Sequence, residues 1–105
     1  MKACLVYITV ATIKEGKEIA KDIITQKLAA CVNLIPQAES FYMWKGELCH
    51  DNEAILIAKT TQKCFFELQD LVKKNHSYEN PCIISVPIDS GQNDYLKWLF
   101  NSCKK

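Results

Sequence analysis

The sequence contains no arginine. All 13 basic residues are lysines, and the formal net charge at pH 7 is +1. Arginine reads guanine edges and phosphates with a planar fork of donors that lysine does not reproduce. The lysine pairs at 73–74 and 104–105 are interpreted as solvated ends of helices. The missing arginine and the near-neutral charge therefore argue against a nucleic-acid partner.

Long apolar runs and closely spaced cysteines are also missing. No stretch reaches the roughly 18 apolar residues of a membrane span, so no membrane partner is expected. The cysteines stand at least 15 residues apart, which excludes the CxxC spacing of zinc ribbons and thioredoxin-like sites. Most lie in apolar runs, where a free cysteine behaves as a small hydrophobe. We therefore predict reduced thiols and a cytoplasmic protein.

The common catalytic motifs are absent as well. The chain has no nucleophile elbow, HExxH, P-loop or GxGxxG sequence, so it is predicted not to be an enzyme. One catalytic alternative stays open, in which Cys31 is a thiol nucleophile and His76 its base. Nothing in the spacing of these two residues supports that pairing beyond their presence.

The apolar pattern predicts one domain over residues 1–105. The run after Lys2 is too short for a secretory signal and is interpreted as a strand. Thr12 and Glu15 form a capping box at the start of the first helix, and Thr61 can cap the second. We predict strands at 3–10, 30–44, 47–60 and 82–88. We also predict three helices: the first ends near residue 29, the second ends before the loop at 76–81, and the third ends at residue 103.

This order, β-α-β-β-α-β with a terminal helix, predicts an α+β fold of the ferredoxin-like type, an antiparallel sheet with helices on one face. The second and third strands form an unusually long hairpin that turns at Lys45-Gly46 and is bulged at Pro36. Near its tip stand four large apolar residues, Phe41, Tyr42, Met43 and Trp44. Because neighbours in a strand face opposite sides, this run predicts an oligomer interface. The alternative is that these residues cover the open face of their own sheet.

Several segments resemble the CutA family of divalent-cation tolerance proteins, in order along the chain. Residues 29–36 (AACVNLIP) resemble its AACVN-x-x-P segment, 40–46 (SFYMWKG) its S-x-Y-x-W-x-G, 76–81 (HSYENP) its HPYE-x-PE, and 95–99 (YLKWL) its closing YL-x-W. Glu53 and Lys59-Thr60 match its E…KT pair. Two departures are that Ser77 replaces a proline and Cys82 a glutamate.

The resemblance implies a homotrimer in which the long hairpins extend around the three-fold axis, linked to tolerance of divalent cations and of copper above all. Copper or another divalent cation is the expected ligand, and no organic cofactor is expected. Similar trimers include the PII-like signal proteins, which bind small ligands between subunits. A ligand-sensing or scaffolding trimer without a physiological metal is therefore the alternative function.

Three residues are candidate metal ligands. Cys31 and His76 carry donors that suit copper and zinc, and Cys82 follows His76 closely enough to approach it. Each also has a plainer interpretation, as core for the two cysteines and as a helix cap for His76. A lesser candidate is Cys49-His50-Asp51, in which strand alternation puts Cys49 and Asp51 on one side and His50 on the other.

A second group is expected to line a cleft between subunits. It contains a lysine beside carboxylates, which can bind a small anion or form structural ion pairs. An anionic ligand is expected to contact Lys59 and Tyr78 in particular. The group consists of Tyr42, Glu53, Lys59, Tyr78 and Glu79.

Overall fold

The protein is described by a computed structural model that covers residues 2–105. A short 3-10 turn, Gln62–Cys64, precedes the second helix, and Thr61 caps it by accepting a hydrogen bond from the Cys64 N–H (3.3 Å). No helix in this part of the chain combines the length and apolarity that crossing a bilayer demands. The elements are β1 (Ala3–Val10), α1 (Ile13–Thr25), β2 (Cys31–Trp44), β3 (Glu47–Thr61), α2 (Phe65–Asn75), β4 (Ile83–Pro87) and α3 (Asn93–Ser102).

The four strands form one sheet in the order β2-β3-β1-β4, with every neighbouring pair antiparallel. This order confirms the predicted ferredoxin-like fold: β3 lies between β1 and β2, and β1 lies between β3 and β4. The connection through α1 therefore joins two strands that are not neighbours, and so does the connection through α2.

One face of the sheet carries the main core. Even-numbered residues of β1 and β3 point to this face and pack against apolar residues of α1 and α2, as the alternation of a strand and the stripe of an amphipathic helix require. α3 packs separately, through Leu99 and Cys103, against Ala3 and Cys64. The fully buried members of the main core include Val6, Ile8, Ile19, Ile23, Leu56, Leu68 and Val72.

The opposite face of the sheet is apolar and open. We call it the open face; its apolar members are Leu5, Tyr7, Ile35, Ile55, Ile57, Ile84 and Val86, which share it by strand register. None of these residues belongs to either core cluster of the described chain, and Ile84 is 54% exposed. The sequence pattern of β1 predicts burial on both faces, whereas a single subunit buries only one. The open face is therefore an exposed apolar surface of the kind that often marks an interface.

Helix α1 ends earlier than its apolar pattern predicts. The pattern continues to Ala29, but the helix stops at Thr25 and Lys27 takes a left-handed conformation (φ 58°). Leu28 is nevertheless fully buried, and its carbonyl accepts a hydrogen bond from Thr60 Oγ1 (2.6 Å). Leu28 and Ala29 thus continue the apolar spacing as buried connection residues, which periodicity alone cannot distinguish from helix.

The long hairpin carries the predicted bulge and turn. Its register shifts between Ile35 and Ala38, so β2 has one extra residue beside Pro36. At the tip, Lys45 (φ 51°) and Gly46 (φ 81°) both have positive φ, as a type I′ turn requires. Phe41 and Met43 lie on one side of this ribbon with His50 and Leu48, whereas Tyr42 and Trp44 lie on the other.

The turn residue Gly46 offers a first test of the hairpin. A Cβ at Gly46 would meet no atom within 4 Å, so Gly46→Ala should act through the backbone alone. We expect a loss of about 1 kcal/mol in the free energy of unfolding, measured with urea at fixed protein concentration. Lys45→Gly is the control and should not destabilise. If Gly46→Ala and Lys45→Gly changed the free energy of unfolding equally, the assigned turn would be contradicted.

Candidate functional site

A cleft of about 590 Å³ opens where the hairpin meets the loop that follows α2. We call it the hairpin cleft. The hairpin supplies the side that bears Tyr42 and Glu53, and the loop covers it with Tyr78 and Glu79. Its full lining is Thr9, Tyr42, Trp44, Glu53, Ser77, Tyr78, Glu79, Asn80 and Cys82.

Two tyrosine–carboxylate pairs organise the cleft. Tyr42 donates a hydrogen bond from its hydroxyl to the Asp51 carboxylate, and Tyr78 Oη donates to Glu53 Oε2 (2.8 Å). The bond to Asp51 raises the pKa of Tyr42 to about 12. Burial, and then the bond to Glu53, raise the pKa of Tyr78. Both phenols are therefore protonated donors at neutral pH, and the carboxylates carry the charge of the site.

Two hydrogen bonds hold the His76 ring in a defined orientation. Its Nδ1 accepts a hydrogen bond from the Tyr78 N–H (3.0 Å), and its Nε2 lies 2.7 Å from the Thr9 carbonyl. Because a carbonyl only accepts, Nε2 carries the proton and donates it to Thr9. Both ring nitrogens are thus engaged within the subunit. To ligate a metal, His76 would first have to give up one of these bonds.

Glu15 fastens the loop to the start of α1. Its Oε2 accepts from the Ser77 N–H (2.9 Å), and its Oε1 accepts from Ser77 Oγ and from the Ala11 N–H (both 3.2 Å). The predicted capping box is only half formed: Thr12 Oγ1 accepts from the Glu15 N–H (3.1 Å), but the carboxylate turns to Ala11 and Ser77. A proline at position 77 would have no N–H to donate to Glu15.

The hydrogen bonds from Ser77 to Glu15 predict slow hydrogen exchange at the Ser77 amide. Glu15→Gln replaces the charged acceptor by a weaker one, so the amide of Ser77 should exchange its hydrogen about 5- to 30-fold faster, corresponding to about 1–2 kcal/mol. Hydrogen exchange followed by NMR measures this effect. Glu18→Gln, on the same helix, is the control. Unchanged exchange at Ser77 would show that Glu15 does not hold the loop.

Cys82 brings a thiol into the cleft. Burial raises the pKa of this thiol, the nearby Glu53 carboxylate raises it further, and a hydrogen bond with Thr9 lowers it in part. The net effect is a raised pKa, so Cys82 is a neutral thiol at neutral pH. It can still become a thiolate ligand if a metal displaces its proton.

The structure divides the predicted site residues into two groups. Tyr42, Glu53, Tyr78, Glu79 and Cys82 line the cleft together. His76 does not line it but forms hydrogen bonds with two lining residues, Thr9 and Tyr78. Cys31 and Lys59 do not join them. They pair with each other across β2 and β3, and the Lys59 ammonium lies 5.6 Å from the centre of the Tyr95 ring.

Distance along the sheet explains this separation. Lys59 is six residues from Glu53 on β3, or about 20 Å at the rise of a strand. A small anion therefore cannot touch Lys59 and Tyr78 of one subunit. Cys31 pairs with Lys59, whereas His76 bonds to Thr9, which pairs with Ile55, four residues or about 13 Å away along β3. The thiol–imidazole pair of the catalytic alternative therefore does not form within a subunit.

Metal donors are present in the cleft but not as a complete set. Within residues 2–105 of one subunit, no three His, Cys, Asp or Glu side chains are gathered closely enough to hold a metal ion. Cys49 and Asp51 do share one side of β3, whereas His50 faces away and stacks on Phe41 with ring centres 4.2 Å apart. That arrangement agrees with strand alternation and leaves no ligand cluster there.

Comparison with known proteins identifies the family. A family profile described as CutA1 divalent ion tolerance protein matches residues 4–102. The chain belongs to the CutA1 family. It is 42% identical to the divalent-cation tolerance protein CutA of Archaeoglobus fulgidus, over 90% of this chain and 91% of that one. It is 44% identical to the chloroplastic CutA of Arabidopsis thaliana, over 95% of this chain and 55% of that protein.

Solved CutA1 structures have the same fold. The crystal structure of CutA1 from Oryza sativa superposes with a TM-score of 0.98 at 43% identity, covering 100% of this chain and 96% of that one. The protein from Thermus thermophilus gives 0.95 at 39% identity, covering 97% and 99%. Against the full-length chloroplastic relatives, however, the chain spans little more than half their length.

Some of the segments that resemble CutA1 motifs contribute to the hairpin cleft. Tyr42 and Trp44 come from the S-x-Y-x-W segment, Glu53 from the E…KT pair, and Tyr78 and Glu79 from the loop. Sequence reasoning assigned Trp44 to an oligomer interface and did not include Thr9, Ser77 or Asn80 in the site. For Trp44 a signal existed, because strand alternation puts it on the side of Tyr42.

Proposed function

We propose that this protein is a homotrimer that binds divalent metal ions, copper among them, in the hairpin cleft and so contributes to metal tolerance. The observation that carries the proposal is the charge of the cleft. Among the described residues that line it, the ionised side chains are Glu53 and Glu79, both acidic. Asp51 adds a third carboxylate beside Tyr42. Such a cleft attracts cations and repels anions.

The donors present suit the proposed ligand in type. Carboxylate oxygens of Glu53 and Glu79 bind hard divalent cations, and the Cys82 thiolate adds a soft donor that suits copper and zinc. A single subunit supplies too few of them for a full coordination shell. Water or a neighbouring subunit would complete it. His76 is proposed to position the loop rather than to ligate, because both its nitrogens are engaged.

The open face supports the trimer. It presents an exposed apolar surface along β1, β3 and β4. Burial of such a surface is the usual reason for association. Tyr42 and Trp44 lie on the same side of the hairpin as this face, whereas Phe41 and Met43 lie on the side of the core residue Leu56.

Calorimetric titration of the reduced protein with Cu(I), Cu(II) and Zn(II) tests metal binding. We expect saturable binding. The substitution Cys82→Ser should lower the affinity for Cu(I) by at least about tenfold, because a soft ligand is lost. Cys31→Ser is the matched control, since Cys31 is a partly buried thiol, as Cys82 is, but lies outside the cleft. Equal affinities of wild type and Cys82→Ser would contradict a site at Cys82.

The same titration should depend on pH. Because the pKa of Cys82 is raised, a metal that binds its thiolate must displace a proton. Affinity for Cu(I) should therefore increase with pH, by about tenfold per unit while the thiol stays protonated. Cys82→Ser should flatten this dependence. An affinity that falls as pH rises would contradict the assignment.

Two further expectations enter as proposals. We propose a binding rather than a catalytic role, since neither Cys31 nor Cys82 has a hydrogen bond to His76 among the described residues. We also propose the cytoplasm as its location, because the six thiols are unpaired and reducing compartments keep them so. A ligand-sensing trimer is the second candidate, favoured by the size and aromatic lining of the cleft.

A further inference from the structure

The lining of the hairpin cleft contains more aromatic surface than a metal site uses. Tyr42, Trp44 and Tyr78 all line it, and the first two lie two residues apart on the same side of β2. The two tyrosine hydroxyls are tied to carboxylates, so their rings are fixed in place. Protonated phenols and an indole are poor metal ligands, and the proposed metal binding does not explain them.

Carboxylates accompany these rings. Glu53 is 9% exposed, and it uses Oε2 for the Tyr78 hydroxyl while it lines the cleft. Glu79 lines the cleft from the loop. Aromatic faces and carboxylates attract the same class of ligand, since the ring quadrupole is negative at its face.

We propose that the hairpin cleft binds a small organic cation with an alkylated ammonium head, held by the rings of Tyr42, Trp44 and Tyr78 and neutralised by Glu53 and Glu79. Alkylation removes N–H donors and spreads the charge over methyl groups, which suits aromatic walls better than a hydrated ammonium. A volume of about 590 Å³ lies in the range of small-molecule sites and far exceeds the size of one metal ion.

The site lies at one end of the open face, because Glu53 shares one side of β3 with Ile55 and Ile57. A neighbouring subunit that covers the open face would therefore border the site, which Tyr42 and Trp44 line from the hairpin. The site does not depend on metal binding. Both ligands are cations that would use Glu53, however, so they should compete when both are present.

Choline is the probe, and 3,3-dimethylbutan-1-ol, its uncharged carbon analogue, is the matched control ligand. Titrations monitored by NMR of the wild-type protein, in buffer with EDTA, keep the result independent of metal binding. We expect saturable binding of choline and at least about tenfold weaker binding of the alcohol, because only choline gains the interaction of a cation with rings and carboxylates.

Variants locate the binding. Trp44→Leu should lower the affinity for choline by about 5- to 30-fold. Glu53→Gln should also lower this affinity, and its circular dichroism spectrum should match that of the wild type. Phe41→Leu, on the opposite side of the hairpin, is the matched control and should bind as the wild type does. No saturation with choline, equal binding of the alcohol, or equal loss in Phe41→Leu and Trp44→Leu would each overturn the proposal, whatever the metal titrations give.

Discussion

Ile84→Asp is expected to convert the trimer into folded monomers. Ile84 lies opposite Tyr7 on the open face and is 54% exposed in the subunit, so the subunit itself can accept a charge there. In an assembly that buries this face, each subunit would carry an uncompensated carboxylate, at a cost of several kcal/mol per site. Size-exclusion chromatography with light scattering should show a monomer at micromolar concentration.

The control for this substitution lies on the helical side of the molecule. Phe66 of α2 is also a large, exposed apolar residue, but it is remote from the open face. Phe66→Asp should remain a trimer. If Ile84→Asp also remains a trimer at low concentration, the open face is not the subunit interface, and the proposed assembly is wrong.

Leu56→Ala is expected to give the largest loss of stability within a subunit. Leu56 is fully buried in β3, opposite Ile8 and Leu34, and its Cδ2 lies 3.5 Å from the position of a Cβ on Gly16. Truncation would leave a cavity between the sheet and α1, at a cost of about 2–5 kcal/mol. Urea unfolding at fixed protein concentration measures it.

Leu48→Ala is the matched control, since it removes the same atoms from the same strand at a position that is 74% exposed. Leu48→Ala should lower the free energy of unfolding by at least about 2 kcal/mol less than Leu56→Ala does, because Leu48 buries little apolar surface within the subunit. Similar losses for the two variants would mean that β3 does not sit with its even-numbered residues in the core.

Most of the fold could be predicted because local signals and tertiary contacts agree. The alternation in β1 and β3 matches the burial of Val6, Ile8 and Leu56, and the positive φ of Gly46 matches the predicted turn. The end of α1 could not be predicted. Leu28 is buried at helical spacing, but the chain has already left the helix through Lys27.

The candidate site was predictable in part, for a geometric reason. Strand alternation puts Glu53 and Lys59 on the same side of β3 but says nothing about the length of strand between them. The loop adds contacts between residues far apart in sequence, such as the bonds from Ser77 to Glu15 and from His76 to Thr9. No periodic signal encodes such contacts, so the roles of Glu15 and Thr9 emerged only from the structure.

The central claim is a trimer that binds divalent metal ions in its hairpin clefts. Native mass spectrometry of the reduced wild-type protein, loaded with excess Zn(II) or Cu(II) and desalted, tests it most directly. We predict one trimeric species that carries one ion per subunit, and a loss of these ions in the double variant Glu53→Gln/Cys82→Ser while the trimer persists. A monomer, or a metal content that is non-stoichiometric and unchanged in the double variant, would contradict the claim.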